Sequence, residues 1–335
     1  MQFDQLTRRE FITLLGGAAA AWPLAARAQQ DDGIRRVGLL TTENDSEHRP
    51  TIHAFQEELA KLGWVENHNL SIYFRFFRGD PDYINTYAAE LVSVAPDVIV
   101  TVTSSATKAV QQRTQAIPIV FAGVGDPLVN GIVRNVARPE GNSTGVTNLP
   151  AGISGKWLQL LKDMAPWVER VGIVYNARIA PDEQRFGYIR AVERAAELFA
   201  IQTATLPYFN TDDFVRATAA FAAKPNCDIV VTPPALVRAD RDTLRGLVAT
   251  HRLPAIYPVR YYAAEGGLLA YGTNPVEMYR RAARYVDRIL PGAKPGELPI
   301  EYPTKFELVI NLQTARAMGL TIPTELLVAA DEVIE

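Results

Sequence analysis

VIVTVTSSATKAVQQRTQAIPIVFAGVGDP, residues 98–127, is the stretch whose reading decides the fold. Val98–Val102 and Ile119–Phe121 are short apolar runs rich in β-branched residues, the pattern of strands buried on both faces of a parallel sheet. Between them lie a polar turn, Thr103–Ser105, and a predicted helix over about Ala106–Thr114; a loop, Gly123–Pro127, closes the unit. Sheets of this kind take ligands beyond the carboxyl ends of their strands. There the turn offers four hydroxyls, on Thr103, Ser104, Ser105 and Thr107, at the start of a helix. Helix N-terminal N–H groups and the macrodipole attract anions. The turn is therefore read either as a cradle for a small molecule's carboxylate or as a plain serine cap.

Outward from this unit the pattern repeats. RVGLLTT at Arg36–Thr42 is an apolar strand with a polar end, and Ile52, Phe55, Leu59 and Leu62 then recur at helical spacing up to Gly63. Leu70, Ile72, Phe74 and Phe76 alternate as a strand; Ile84, Tyr87, Ala88 and Leu91 mark another helix. Strands alternating with helices predict βαβ units and a parallel sheet. Arg170–Val174 then echoes Arg36–Leu40 at an offset of 134, Asp228–Thr232 echoes Asp97–Thr101 at 131, and Leu253–Tyr257 echoes Ile117–Phe121 at 136. Three matches in one order at nearly one spacing predict a duplicated domain; solenoid repeats are far shorter, about 20–50 residues. Pro139–Pro150, rich in Gly, Asn, Ser and Thr, is expected to be a hinge rather than a core element. Helices are predicted at Gly152–Ala165, about Asp182–Phe199, about Asp212–Ala223, Arg238–His251, Val276–Leu290 and about Leu312–Met318, with strands at Gly267–Tyr271 and Phe306–Ile310.

The N-terminus addresses the compartment. Thr7-Arg8-Arg9-Glu10-Phe11-Ile12, an apolar run and Ala26-Arg27-Ala28 together read as a twin-arginine signal peptide over residues 1–28, predicting a periplasmic protein. Setting it aside leaves about 307 residues, enough for two domains. The whole chain carries a net charge of −3, against a nucleic-acid partner. With Cys227 as the single cysteine, no internal disulfide is expected. No G-x-S-x-G elbow, P-loop or complete dinucleotide fingerprint occurs, and the four histidines show no metal spacing. Neither enzyme, metal nor cofactor is expected.

If two such lobes face one another, their strand ends line one gap. The first lobe would contribute Thr42, the Thr103–Thr107 turn, Phe121, Gly125 and Asp126. The second would contribute Tyr175, Asn176, Pro234, Tyr257, Arg260 and Tyr261, an aromatic wall opposite a polar one. Asp126 reads either as a partner for a ligand ammonium or as an Asx cap. Arg260 reads either as a bidentate anion clamp or as a solvated arginine.

TRREFITLLGGAAAAWPLAARAQ, the pairing of IPIVFAGVGDPL with ARPEGNSTGVTNL, and LPAIYPVRYYAAEGGLLAYGTN together resemble the periplasmic substrate-binding proteins of ABC transporters, in the group that includes tryptophan- and tyrosine-binding members. The resemblance implies a type I periplasmic binding fold: two doubly wound α/β lobes joined by three crossings, near Thr147, Thr273 and Ile300. Lobe 1 would comprise residues 34–147 and 274–300, lobe 2 residues 148–273 and 301–335. It implies that Ser104, Ser105 and Thr107 hold a ligand carboxylate, with Asp126 and Tyr257–Tyr261 nearby, and that the partners are an ABC permease and its ATPase. An aromatic amino acid or aromatic acid is the expected ligand. A branched-chain amino acid, or a sensor of the same fold acting on a receptor, is the alternative. The chain departs from the group at Tyr175-Asn176-Ala177-Arg178 and in the charged Glu43–Arg49 stretch.

Overall fold

The computed structural model describes residues 33–42, 49–77, 80–150, 152–178, 187–233 and 238–335. The signal segment, Pro234, most of Glu43–Arg49 and the first residues of the helix expected at Asp182 lie outside the described residues. Arg35–Glu335 forms one compact unit.

Within that unit are two sheets. The first contains β1 (Arg35–Thr41), β2 (Leu70–Phe76), β3 (Val98–Val102), β4 (Ile119–Val124) and β5 (Ser143–Thr147), in the order β2-β1-β3-β4-β5. All its pairings are parallel. The second contains β6 (Arg170–Asn176), β7 (Gln202–Tyr208), β8 (Cys227–Val231), β9 (Ala255–Tyr257), β10 (Leu269–Gly272), β11 (Glu307–Asn311) and β12 (Glu332–Ile334), in the order β12-β11-β10-β9-β8-β6-β7. Its first five strands repeat the winding of the first sheet, and the echoed sequences are the pairs β1/β6, β3/β8 and β4/β9. In each copy the chain reverses its direction of winding beside the first strand, where an open α/β sheet leaves a crevice.

Helices cover both faces, because each strand is apolar on both sides. On the first sheet, Phe55 and Leu59 of α1 (Arg49–Lys61) join Val37, Leu39, Val98 and Val100 on one face. Ile84 and Leu91 of α2 (Pro81–Ser93) and Val110 of α3 (Ser104–Gln111) join Leu40 and Ile99 on the other. On the second sheet, α4 (Ile153–Met164) and α5 (Tyr188–Leu198) bury Trp157, Leu161, Ile189 and Val192 against Ile173. The opposite face takes Phe214 of α6 (Thr211–Ala222) and Leu244 and Val248 of α7 (Arg238–His251). Gly172 in the echoed Arg-Val-Gly triplet is needed for this packing, since a Cβ there would sit 2.7 Å from Leu206 and 2.9 Å from Phe221.

The chain passes between the sheets three times. After β5 it enters α4, whose Trp157 indole N–H donates to the Tyr271 carbonyl at 2.8 Å. After β10, Asn274 caps α9 (Pro275–Ile289), and that helix returns to the first sheet, burying Tyr279, Ala283 and Val286 beside Val37 and Val100. Leu298–Glu301 then runs alongside β5 before the chain leaves for β11. It re-enters the second sheet from the carboxyl edge, so β11 must run antiparallel to β10. The second sheet is thus not wholly parallel.

The stretch expected as a hinge, Pro139–Pro150, instead supplies β5, a buried strand. Its hydroxyls made it look like a loop, but each finds a partner. Gln111 donates to Ser143 Oγ at 2.9 Å, and Thr144 donates to the Leu298 carbonyl at 2.8 Å. Strand β7 gave little sequence signal; its Pro207 is tolerated because β7 is an edge strand. Strand β12 and the short helices α8 (Arg260–Ala264) and α11 (Thr324–Ala329) add to the pattern, with α10 (Leu312–Met318) where it was expected.

Candidate functional site

Two contacts bring the carboxyl edges of the sheets face to face. Arg178, beyond β6, pairs with Asp80, beyond β2. The Tyr188 hydroxyl of α5 lies 2.9 Å from Asn148 Oδ1 and 3.1 Å from the Leu149 carbonyl, sharing its one proton between two acceptors. The same hydroxyl lies 3.2 Å from where a Cβ on Gly125 would stand. Gly125, with no Cβ, thus leaves room for the close approach of Tyr188.

The Thr103 turn stands at the switch point of the first sheet, between β1 and β3, with half-buried Thr42 at the end of β1. Thr103 has φ 89° and ψ 155°, a region essentially reserved for glycine. Hydrogen bonds on both sides hold it there, its N–H donating to the Ala122 carbonyl at 3.4 Å. Its Oγ1 accepts from Ala106 N at 3.3 Å, and its carbonyl accepts from Thr107 N at 3.2 Å and Thr107 Oγ1 at 2.8 Å. Ser104 and Ser105, half-buried, occupy the first turn of α3. Thr107 departs from expectation. It is fully buried, and its hydroxyl donates to Thr103 and lies 2.8 Å from Thr101 Oγ1, so it braces the turn from behind.

Other expected wall residues also turn inward. Phe121 is buried with Val124, Ile132, Val133 and Ile300, because the β4 side chain points away from the turn and into the core. Tyr175 is buried among Trp157, Ile173 and Ile189. Asn176 is buried, and its Oδ1 accepts from Arg178 N at 3.0 Å, ending β6. Tyr257 is buried and stacks on Tyr262 at 4.9 Å; burial drives its phenol pKa well above the usual range. Tyr261 lies tilted against Tyr262, ring centroids 4.6 Å apart, with the Arg241 guanidinium 4.6 Å from its own ring. The three tyrosine rings thus pack on one another within the second lobe. Arg260 forks onto Glu332, both N–O distances being 2.5 Å, so its charge is met internally. Asp126 Oδ1 accepts from Leu128 N at 2.9 Å and Val129 N at 3.1 Å, the Asx geometry.

Asp80, Arg178, Tyr188 and Asn148 were not singled out from the sequence. Asp80 read only as part of a turn and Arg178 only as a departure; Tyr188 left no local signal, since its partners lie 39 and 40 residues away.

The sequence model of the family described as ABC transporter substrate binding protein matches residues 41–334. The chain belongs to that family. A tyrosine-binding protein of Clostridioides difficile is 20% identical over 267 residues, 79% of this chain and 75% of the relative. Among solved structures, an ABC domain from Streptococcus pneumonia in complex with L-Trp superposes with a TM-score of 0.81 at 21% identity, over 90% of this chain and 99% of that one. A ligand-free, open substrate-binding protein with adhesive properties from Clostridium difficile superposes with a TM-score of 0.65 at 19% identity, again over 90% and 99%. The fold is that of the type I periplasmic binding proteins. As a member of this family the binding protein captures a small ligand for a membrane permease and its ATPase, and is not an enzyme.

Proposed function

We propose that this binding protein captures a small carboxylate, an aromatic amino acid or aromatic acid before an aliphatic one, between two lobes that close about the three crossings. Residues 34–147 and 274–300 would move as one body and residues 148–273 and 301–335 as the other. The return of α9 to the first core and of β11 to the second sheet supports that division. Ligand touching both lobes would stabilise the closed form by population shift, and the closed form would be presented to an ABC permease. The twin-arginine segment at Thr7–Ile12 and the Ala26-Arg27-Ala28 site support export to the periplasm.

The observation that carries the reading is the strained Thr103. A residue held in a glycine-only conformation, at a switch point and at the head of a helix, marks a site whose geometry matters beyond stability. It aims the first turn of α3, with Ser104 and Ser105, at the gap, where N–H groups and hydroxyls can take a carboxylate. The aromatic preference rests on the relatives, one named as tyrosine-binding and one in complex with L-Trp.

Calorimetric titration of ligand-stripped protein with L-tryptophan, L-tyrosine, L-leucine and indole-3-acetate tests the reading. The aromatic compounds are expected to bind more tightly. Absence of binding by every carboxylate would overturn it. Ser105→Ala is expected to weaken binding about ten-fold, the scale of one hydrogen bond to a charged group.

A further inference from the structure

The strand order determines which side of the molecule opens. In the first sheet, β5 lies at the edge beside the crossings, and β2 is the opposite edge. In the second, β10 and β11 take the crossings, while β6 and β7 lie at the far side. Asp80, after β2, and Arg178, after β6, therefore meet at the mouth of the gap, on the side away from the crossings. Asp80 and Arg178 carry opposite charges there. Arg178 Nη2 stands 3.5 Å from Asp80 Oδ1, with the two side chains 51% and 37% exposed.

Both partners are held from behind. Asp80 caps α2, its Oδ1 accepting from Asp82 N at 3.1 Å, and its own N–H donates to the Phe77 carbonyl at 2.8 Å. Arg178 N donates to Asn176 Oδ1 at 3.0 Å, and Ala177 N to the Tyr208 carbonyl at 2.9 Å. The cap keeps the carboxylate aimed whether or not the arginine is near. We propose that Asp80 and Arg178 form an electrostatic latch across the mouth, which favours the shut form and slows departure of whatever is held inside. The latch rests on the two-body closure above but not on the identity of the ligand.

A hinge opened by a small angle moves its far side most, so the whole attraction of the pair is gained on shutting and lost on opening. An exposed pair of this kind is worth up to about five-fold in an equilibrium constant, and less as salt rises. The latch would thus tune the resting balance of open and shut forms, and leave the ligand contacts to the Thr103 turn.

The test needs no ligand. Spin labels on Thr86→Cys of α2 and Ala220→Cys of α6 report the distance between lobes in the full chain, the native Cys227 being buried. Distance distributions are compared for the parent, Asp80→Asn, Arg178→Gln and the double variant, at about 10 mM and about 1 M salt, where the screening length falls from roughly 30 Å to 3 Å. Asparagine keeps the helix cap. The expected result is a two- to five-fold loss of the short-distance population in each single variant at low salt. The double variant should lose no more than either single one, and the differences should vanish at high salt. Losses that simply multiply, or a short-distance population equal in all four proteins, would overturn the latch while leaving closure intact. One fixed distance in every protein and salt would overturn both the latch and the closure.

Discussion

Thr103 holds a conformation that costs a β-branched residue about 1–3 kcal/mol. Thr103→Gly is therefore expected to raise the unfolding free energy by about 1 kcal/mol after the lost cap and the added chain entropy are counted. It should also weaken ligand binding; urea unfolding and calorimetry on one preparation check both. Asp97 and Asp228 show how one letter has two fates. Asp97 accepts from Arg36 N at 2.8 Å and from Arg35 Nη1 at 3.0 Å. In the second copy the corresponding N–H, of Arg170, goes to the Asn226 carbonyl, and both Asp228 oxygens are buried with no hydrogen-bond partner among the described residues. Burial pushes the Asp228 pKa up to about 8, against the pull of Lys162. The folded form then holds a proton that the unfolded chain, titrating near 4, has released. This contribution to stability is greatest below about pH 4 and falls until the pH passes the folded pKa of about 8. Asp228→Asn is expected to stabilise the protein by on the order of 3 kcal/mol at about pH 9 and to flatten the pH dependence of its denaturation midpoint. The sequence echo aligned the two aspartates; it could not say which had a partner.

At the scale of elements, periodicity located the buried strands and amphipathic helices, because those follow from which side chains leave water. It failed at β5, where polar letters form a buried strand. The signal there was composition, and composition was overruled by the Leu298–Glu301 segment, which arrives more than 150 residues later to accept two of the threonine hydroxyls. Thr144→Val keeps the shape of β5 but strips the Leu298 carbonyl of its donor. A loss of about 1–2 kcal/mol in stability is expected, measured by denaturant unfolding. The reverse holds at Gly172, where the echoed Arg-Val-Gly triplet was a true signal of packing. Gly172→Ala would drive a methyl into Leu206 and Phe221, with an expected cost of about 1–3 kcal/mol.

At the scale of the whole molecule, Tyr188 braces the crossing at Asn148 and Leu149 and comes close to Gly125 of the first lobe. Tyr188→Phe removes a buried donor between Asn148 and Leu149. It is expected to cost about 1–2 kcal/mol in stability and to raise the radius of gyration of the ligand-free protein in small-angle scattering. An unchanged radius would mean that the crossings alone set the angle between lobes. The sequence by itself determined the doubly wound class, its duplication, the TSSAT turn at a switch point and the family, because these depend on local apolar patterning and on letters that recur in order. Only the tertiary structure decided which candidates face the gap. Phe121, Tyr175 and Tyr257 point into cores, Thr107 braces the turn, Arg260 is answered by Glu332, and Asp80 meets Arg178. The direction of a side chain at a strand end, and the partner that meets its charge, are set by segments distant in sequence. No local pattern records them.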